Sequence, residues 1–247
     1  MYYIVFDLEF NQDLSSTQSV VKRKCQTPFE IIQVGAVKLD SDLNTVATFN
    51  RYIKPVIYSK VNPFITDLTG ITTEQLLSEE PFPKVFNDYI AFIGQEDSVF
   101  CVWGMSDMKE LFRNVEYHEL DKTSLPDRYI NLQPHLALHL GFSKTKLFNL
   151  QNAVESLKLL TPYTFHNALY DAYYTAEILK KINSPFLEAK KYDPHYKPVR
   201  PIQQKKIIDY EKLLQQFEKM YARELGKEEQ DMIILAYKMG KTNQFLK

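Results

Sequence analysis

Five residues of this chain have the types and the local spacing to work together on a phosphodiester. They are Asp7 and Glu9 in YYIVFDLEF, Asp107 in CVWGMSDMKEL, and His166 and Asp171 in FHNALYDAYYTAEI. Asp7 and Glu9 stand two residues apart in a segment rich in β-branched and aromatic residues, so both carboxylates project from one face of a strand. Two acids that close repel, and burying both without a cation is costly. A divalent ion resolves the conflict, and an oxygen-rich donor set selects Mg²⁺ or Mn²⁺. Two such ions are the usual means of attacking a phosphodiester, and a histidine nearby is suited to move the proton.

Singly, each residue has a plainer reading. A D-x-E pair can be surface acid at a fraying strand end. Asp107 can cap a helix and meet the positive end of its dipole, and a lone His at a helix start can be structural. As an ordered set the five require a common edge of one sheet, so the elements that carry them matter.

Tyr2–Phe10 reads as a strand with Tyr3, Val5, Asp7 and Glu9 on one face and Tyr2, Ile4, Phe6 and Leu8 on the other. Both faces begin apolar, which places it in the sheet interior. Glu30–Asp40 and Thr45–Pro55 read as two more strands joined by the turn Ser41–Asn44, after a polar loop over Asn11–Pro28. A short helix stopped by Gly70 precedes an amphipathic helix over Pro81–Gly94. Ser98–Trp103 is a buried strand broken by Gly104, and the helix after it starts at Ser106 as N-cap. Tyr129–Leu132 reads as a last short strand, and Asn149–Leu157 and His166–Ile182 as helices. In one continuous helix His166 and Asp171 would point roughly 140° apart, so His166 belongs before the helix and Asp171 one turn inside it. Ala168, Ala172 and Ala176 form a smooth face that lets this helix lie close on the sheet. Strands alternating with helices after an initial meander predict a mixed α/β sheet flanked by helices.

At 247 residues the chain can bury one large core with a small appendage. Residues 188–247 carry 13 Lys and Arg against 9 Asp and Glu, and the remainder 17 against 22, so an acidic body leads into a mildly basic tail. Cys25 and Cys101 are unpaired in spacing, which excludes a disulfide scaffold and a zinc motif and reads as two reduced thiols. No apolar run approaches 18 residues, so a soluble, cytoplasmic protein is expected. KKYDPHYKPVRP holds three prolines and reads as an extended connector. The expected division is a first domain over 1–184, a Pro-rich linker over 185–201 and a basic helical extension over 202–247. Helices are expected at Ile202–Leu225 and Lys227–Met239. Lys205, Lys206, Lys212, Lys219 and Arg223 could line a face for a phosphate backbone, although Asp209, Glu211 and Glu218 between them also suit a solvated helix face.

The three acidic blocks resemble the exonuclease motifs of the DEDD superfamily, in its histidine-bearing DEDDh branch. D-x-E stands at Asp7–Glu9, the middle Asp at Asp107 and H-x(4)-D at His166–Asp171; EIIQVGAVKLD and ITDLTGIT resemble segments between the first two motifs. FDLEFN and WGMSD are similar to the KapD-like branch, related to exonucleases that trim small RNAs and histone-message ends. The resemblance implies an RNase H-like mixed five-stranded sheet with a helical C-terminal extension. It implies 3′→5′ hydrolysis that releases nucleoside 5′-monophosphates from single-stranded 3′ ends, RNA favoured over DNA. It also implies two Mg²⁺ or Mn²⁺ ions per site. Asp7 would bridge both ions, Glu9 and Asp171 would complete one, Asp107 would hold the other, and His166 would be the general base. Two positions depart from many relatives: Phe10 stands where Thr is common, and Trp103-Gly104 where an Asn is common. Both are expected to touch the terminal nucleotide, and Phe10 could stack on its base or sugar or close the core at the strand end; Trp103 on its own reads as packed core rather than a stacking platform. Two other functions remain open on the sequence: a proofreading-type DNA exonuclease, and a regulatory adaptor that uses the fold for binding.

Overall fold

An interior strand apolar on both faces needs cover on both, and the fold supplies it. The computed structural model describes residues 1–12, 29–182, 187–196 and 208–241. The chain divides into two compact units, Met1–Tyr196 and Lys197–Lys247.

In the first unit β1 (Tyr2–Asn11) lies at the centre of one mixed sheet. It pairs antiparallel with β2 (Glu30–Leu39), which pairs with β3 (Thr45–Tyr52) across a tight turn. On its other side β1 runs parallel to β4 (Ser98–Val102), and β4 to β5 (Arg128–Asn131). Among the described residues a sixth strand, β6 (Lys190–Lys191), closes the order β3-β2-β1-β4-β5-β6. The expected five strands are therefore present and a sixth joins them from within the segment read as a linker. Tyr192 N–H donates to the Asp127 carbonyl at 2.7 Å, and Lys191 faces Asp127 at 3.5 Å. The first unit thus runs on to Tyr196, past the expected boundary at residue 184.

The even face of β1, with Ile4, Phe6 and Leu8, packs under α3 (Phe82–Ile93) and α4 (Ser106–Tyr117). The odd face, with Val5, packs under α5 (Leu132–His139), α6 (Leu150–Ser156) and α7 (Ala168–Ile182). Two short helices, α1 (Pro63–Thr69) and α2 (Thr73–Leu76), cover the start of β2 through Ile65, Ile71 and Leu76. Gly70 ends α1 at φ 76°, the left-handed stop that its position in the sequence implies.

Three local expectations need correction. Met105, not Ser106, is the N-cap of α4, and it makes no side-chain cap bond. Gly104 at φ 92° turns the chain so sharply that the helix begins one residue early; its N–H is held by the Asn131 side chain instead. The helix expected from His166 begins at Ala168. Leu132–His139, which carried no helical expectation, is a helix that starts directly from the end of β5.

The second unit has α8 (Tyr210–Tyr221) and α9 (Lys227–Lys241), whose apolar residues Leu213, Phe217, Met232 and Ile233 line a common groove. Arg223 binds Glu229 through both guanidinium nitrogens, at 2.9 and 2.6 Å, and Lys212 faces Asp209 at 3.7 Å. Both cations thus stand beside acids on an exposed helix surface. Lys205 and Lys206, the start of the helix expected from Ile202, Cys25 and most of the Asn11–Pro28 loop lie outside the described residues. No helix among the described residues is long and apolar enough to cross a membrane.

Candidate active site

The carboxyl ends of β1, β4 and β5 form one edge of the sheet, and four acids gather there. Asp7 and Glu9 project from the odd face of β1, as the period of two requires. A register shift between Glu9 and Phe10 marks the end of regular pairing with β2; bulges of this kind re-aim side chains beside sites. Asp107 is buried in the first turn of α4, just past the end of β4. Asp171 is buried one turn into α7, which crosses the odd face over β1 and β2.

Two residues of β2 bring α7 close enough. Gly35 pairs with Asp7, and a Cβ there would lie 2.0 Å from Leu169 N and 2.1 Å from the Ala168 carbonyl carbon. The start of α7 rests on the bare backbone of that glycine. Gln33 pairs with Glu9 and is fully buried; its Oε1 accepts from Ala168 N–H at 3.2 Å, and its amide donates to Asn50 at 2.9 Å. Strand β2 therefore sets the height of α7, and with it the reach of Asp171.

The result is a triplet. One carboxylate oxygen each from Asp7, Glu9 and Asp171 lie within 4.8 Å of one another. Asp107 stands outside the triplet but close enough to raise both Asp7 and Glu9 electrostatically. Burial, followed by repulsion from Asp107, Asp171 and Glu9, holds Asp7 well above the ordinary carboxylate range. Burial and then the charges of Asp171 and Asp107 push Glu9 up to about 8. Burial raises Asp107 to about 7, against opposing bonds from backbone N–H groups including that of Leu8. Asp171 is raised to about 6 by burial, against one N–H bond from His166. Four acids that strain against ionisation together are a site built for positive charge. The Asp171 Oδ1 atom is buried without any hydrogen-bond partner, which is what a ligand atom looks like without its ion. The donor set is all oxygen, as Mg²⁺ and Mn²⁺ prefer.

His166 sits just before α7 with its side chain exposed and its backbone at φ 64°. A non-glycine residue there costs roughly 1–2 kcal/mol, so the conformation must be held by its surroundings. His166 N–H donates to Asp171 Oδ2 at 3.1 Å, and Asn167 Oδ1 accepts from Leu169 and Tyr170 N–H groups. The loop before it is clamped as well: the buried Tyr174 hydroxyl accepts from Tyr163 N–H at 2.9 Å and donates to the Tyr163 carbonyl at 2.5 Å. The Tyr163 ring stacks on Tyr170 at 4.5 Å. Tyr174→Phe deletes both bonds from the clamp. With each worth about 1 kcal/mol, it should lower kcat on the order of tenfold and leave the metal-binding midpoint unchanged. A shift of that midpoint as large as the kcat loss would show that the clamp supports the acids instead.

The two positions expected to touch a terminal nucleotide are both half-buried. Phe10 packs against the even-face core, its ring 6.3 Å from Phe29. Trp103 packs on the odd-face core, and its Nε1–H donates to the Phe148 carbonyl at 3.2 Å. Only the remaining ring face of either could meet a ligand. Gln33, Gly35 and Tyr174 were not singled out from the sequence. A Gly two residues after a Gln in an otherwise apolar strand was the one signal available, since glycine inside a strand marks a close approach.

A family model described as RNase_T exonuclease matches residues 4–179. The chain is 31% identical over 183 residues to the PolC-type DNA polymerase III of Streptococcus sanguinis, covering 72% of this chain and 11% of that one. It is 24% identical over 191 residues to ERI1 exoribonuclease 3 of Homo sapiens, covering 73% of this chain and 53% of that one. The chain thus spans about a tenth of the first relative and about half of the second. The nuclease domain of 3'hExo, a DEDDh family member solved with rAMP, superposes with a TM-score of 0.65 at 22% identity, over 78% of this chain and 96% of that domain. At that identity the likeness carries the fold, an RNase H-like sheet with helices on both faces. Since the family model covers most of the first unit, the chain belongs to the RNase_T exonuclease family.

Proposed function

We propose that the chain is a divalent-metal-dependent 3′→5′ exonuclease that shortens single-stranded RNA ends and releases nucleoside 5′-monophosphates. The observation that carries this reading is the close triplet of Asp7, Glu9 and Asp171 with the unpartnered Asp171 Oδ1. Asp7, Glu9 and Asp171 would hold one ion, and Asp7 with Asp107 a second. When bound, such ions supply charge neutralisation at the scissile phosphate. The exposed imidazole of His166 takes the proton of the attacking water, and the Tyr174 clamp and the Asp171 bond keep its loop in place. The free faces of Phe10 and Trp103 bound the terminal nucleotide.

The exoribonuclease relative supports RNA, while the more identical PolC-type relative favours a second reading, a DNA-directed exonuclease. One experiment separates them: 3′- and 5′-labelled single-stranded RNA and DNA are incubated with Mn²⁺, with Mg²⁺ and with EDTA. Metal-dependent shortening from the 3′ end, faster on RNA, is expected. Faster shortening of DNA would select the second reading, and no shortening of either would overturn both.

Metal binding should also show in the pH dependence of stability. Glu9, Asp107 and Asp171 bind protons more tightly in the fold, at about 8, 7 and 6, than in the unfolded chain, at about 4. The metal-free fold therefore holds more protons between pH about 4 and 8, and its stability falls as pH rises through that window. Ion binding displaces those protons, so the rise in Tm given by Mn²⁺ should be larger at pH 8 than at pH 6. An equal rise at both would place the ion elsewhere.

A further inference from the structure

Two strands along the same sheet edge from the acids lies a cavity of about 210 Å³. It is lined by Met105, two residues before Asp107, and by residues from the end of β5, from α5 and from the segment leading into β6. Adjacent strands lie about 4.8 Å apart, so its centre is roughly 10 Å along the edge from β1. Its lining is apolar and aromatic at Tyr129, Pro134 and Leu138 and polar at His135, with the exposed Lys144 and Lys190 at its rim. Burial and the charges of Lys144 and Lys190 hold the His135 imidazole below its ordinary value. The ring is thus a neutral donor and acceptor, and the two lysines carry the positive charge. Glu188 is the acid among the lining residues, able to accept from an amino group.

We propose that this cavity is a second nucleotide site, which takes a base and its phosphate a step or two upstream of the 3′ end held at the acids. The inference rests on the exonuclease reading and extends it to the strand that leads to the site. An acidic centre repels a phosphate backbone, so a strand laid along this edge needs cations beside the acids, and the rim lysines stand there. The aromatic and apolar side chains of this lining accept a base by stacking without regard to sequence, which suits an enzyme that advances along its substrate. The volume is below the roughly 300–1,000 Å³ of sites for whole drug-sized ligands, so it accommodates one unit and not a folded element. Lys190 reaches the rim because β6 pairs with β5, which gives a function to the segment between Leu187 and Tyr196.

The test uses two readouts on the full chain. Binding is measured by anisotropy of a 5′-fluorescein single-stranded octanucleotide in Ca²⁺, and hydrolysis with Mn²⁺ on that octanucleotide and on the p-nitrophenyl ester of thymidine 5′-monophosphate. The ester is too short to leave the acids. Lys144→Ala/Lys190→Ala should weaken octanucleotide binding on the order of tenfold and reduce the slope of log Kd against log salt by about 1. Its kcat on the ester should not change. Leu138→Glu, at a side chain already 47% exposed, should weaken octanucleotide binding similarly without a folding defect. Lys122→Ala, the same one-unit charge change as Leu138→Glu but placed before the opposite end of β5, should alter nothing. Unchanged octanucleotide affinity in the first two variants, or equal weakening by Lys122→Ala, overturns the proposal. A wild-type chain that binds the octanucleotide through these residues but cleaves neither substrate would instead sink the exonuclease reading alone.

Discussion

Asp171→Asn should lower nucleic-acid hydrolysis by roughly a thousandfold or more and at the same time raise the melting temperature of the metal-free protein. The two effects have one cause. Asp171 contributes one of the three converging ligand oxygens, and its charge is the leading electrostatic reason that Glu9 is pushed up to about 8. An amide cannot replace that negative charge at the ion, so catalysis is lost. The same amide removes one of the repelling charges, so the fold without metal gains stability, more so at pH 8 than at pH 5, where the acids are protonated in wild type as well. Asn can still accept the His166 N–H through its oxygen, so the loop is not the source of either change. Melting curves in EDTA and in Mn²⁺ would check this beside the cleavage assay. A variant that loses activity but melts lower in EDTA would mean that Asp171 is a structural acid and that the cluster is not strained by its own charge.

How far such a site can be read from sequence depends on the range of the contacts that build it. Asp7 and Glu9 share a face because a strand has a period of two, a rule that needs no neighbour. The odd face with Val5 and the even face with Phe6 indeed pack into separate cores. Asp107 could be placed because a buried strand and Gly104 sit directly before it. What α7 rests on was not legible. Gly35 reads as one residue of a strand until Leu169, over 130 positions later, lies on it. His166 shows the same limit: nothing local asks for a left-handed backbone at a histidine, and the bonds that enforce it come from Asp171 and from the Tyr174 clamp. α5 was missed for a different reason. Leu132–His139 begins straight from a strand and includes Pro134, so it shows neither a separating turn nor a one-sided apolar stripe. β6 was missed because two lysines followed by three spaced prolines read as a connector, and only the free edge of β5 turns them into a strand.

Gly35→Ala should be the most damaging glycine-to-alanine change in the first unit, and its damage should be directional. The added Cβ would meet backbone atoms of Ala168 and Leu169 at 2.0 to 2.3 Å. Real Cβ atoms do not approach so closely, and backbone cannot swing aside as the tip of a side chain can. Helix α7 must therefore lift from β2 by more than an ångström, or the sheet must bend. Lifting breaks the Gln33 to Ala168 bond and withdraws Asp171 from Asp7. Overpacking of a tight contact typically costs 1–3 kcal/mol, and the lost bond to buried Gln33 adds about 1–3 more. The protein should melt several degrees lower, and hydrolysis should fall far more than the fraction folded. Because the ligand triplet is spread apart, Mn²⁺ should also stabilise this variant less than wild type, whereas a mere loss of stability would leave the metal increment intact. Ala176→Gly, on the same helix but five residues past Asp171, is the comparison. It should lower the Tm through helix propensity, about 1 kcal/mol, and through the loss of one buried methyl, roughly another 1 kcal/mol, with an undiminished response to Mn²⁺. If Gly35→Ala melts lower yet keeps the full metal increment and wild-type kcat, then the close approach of α7 serves packing, and the reach of Asp171 is set elsewhere.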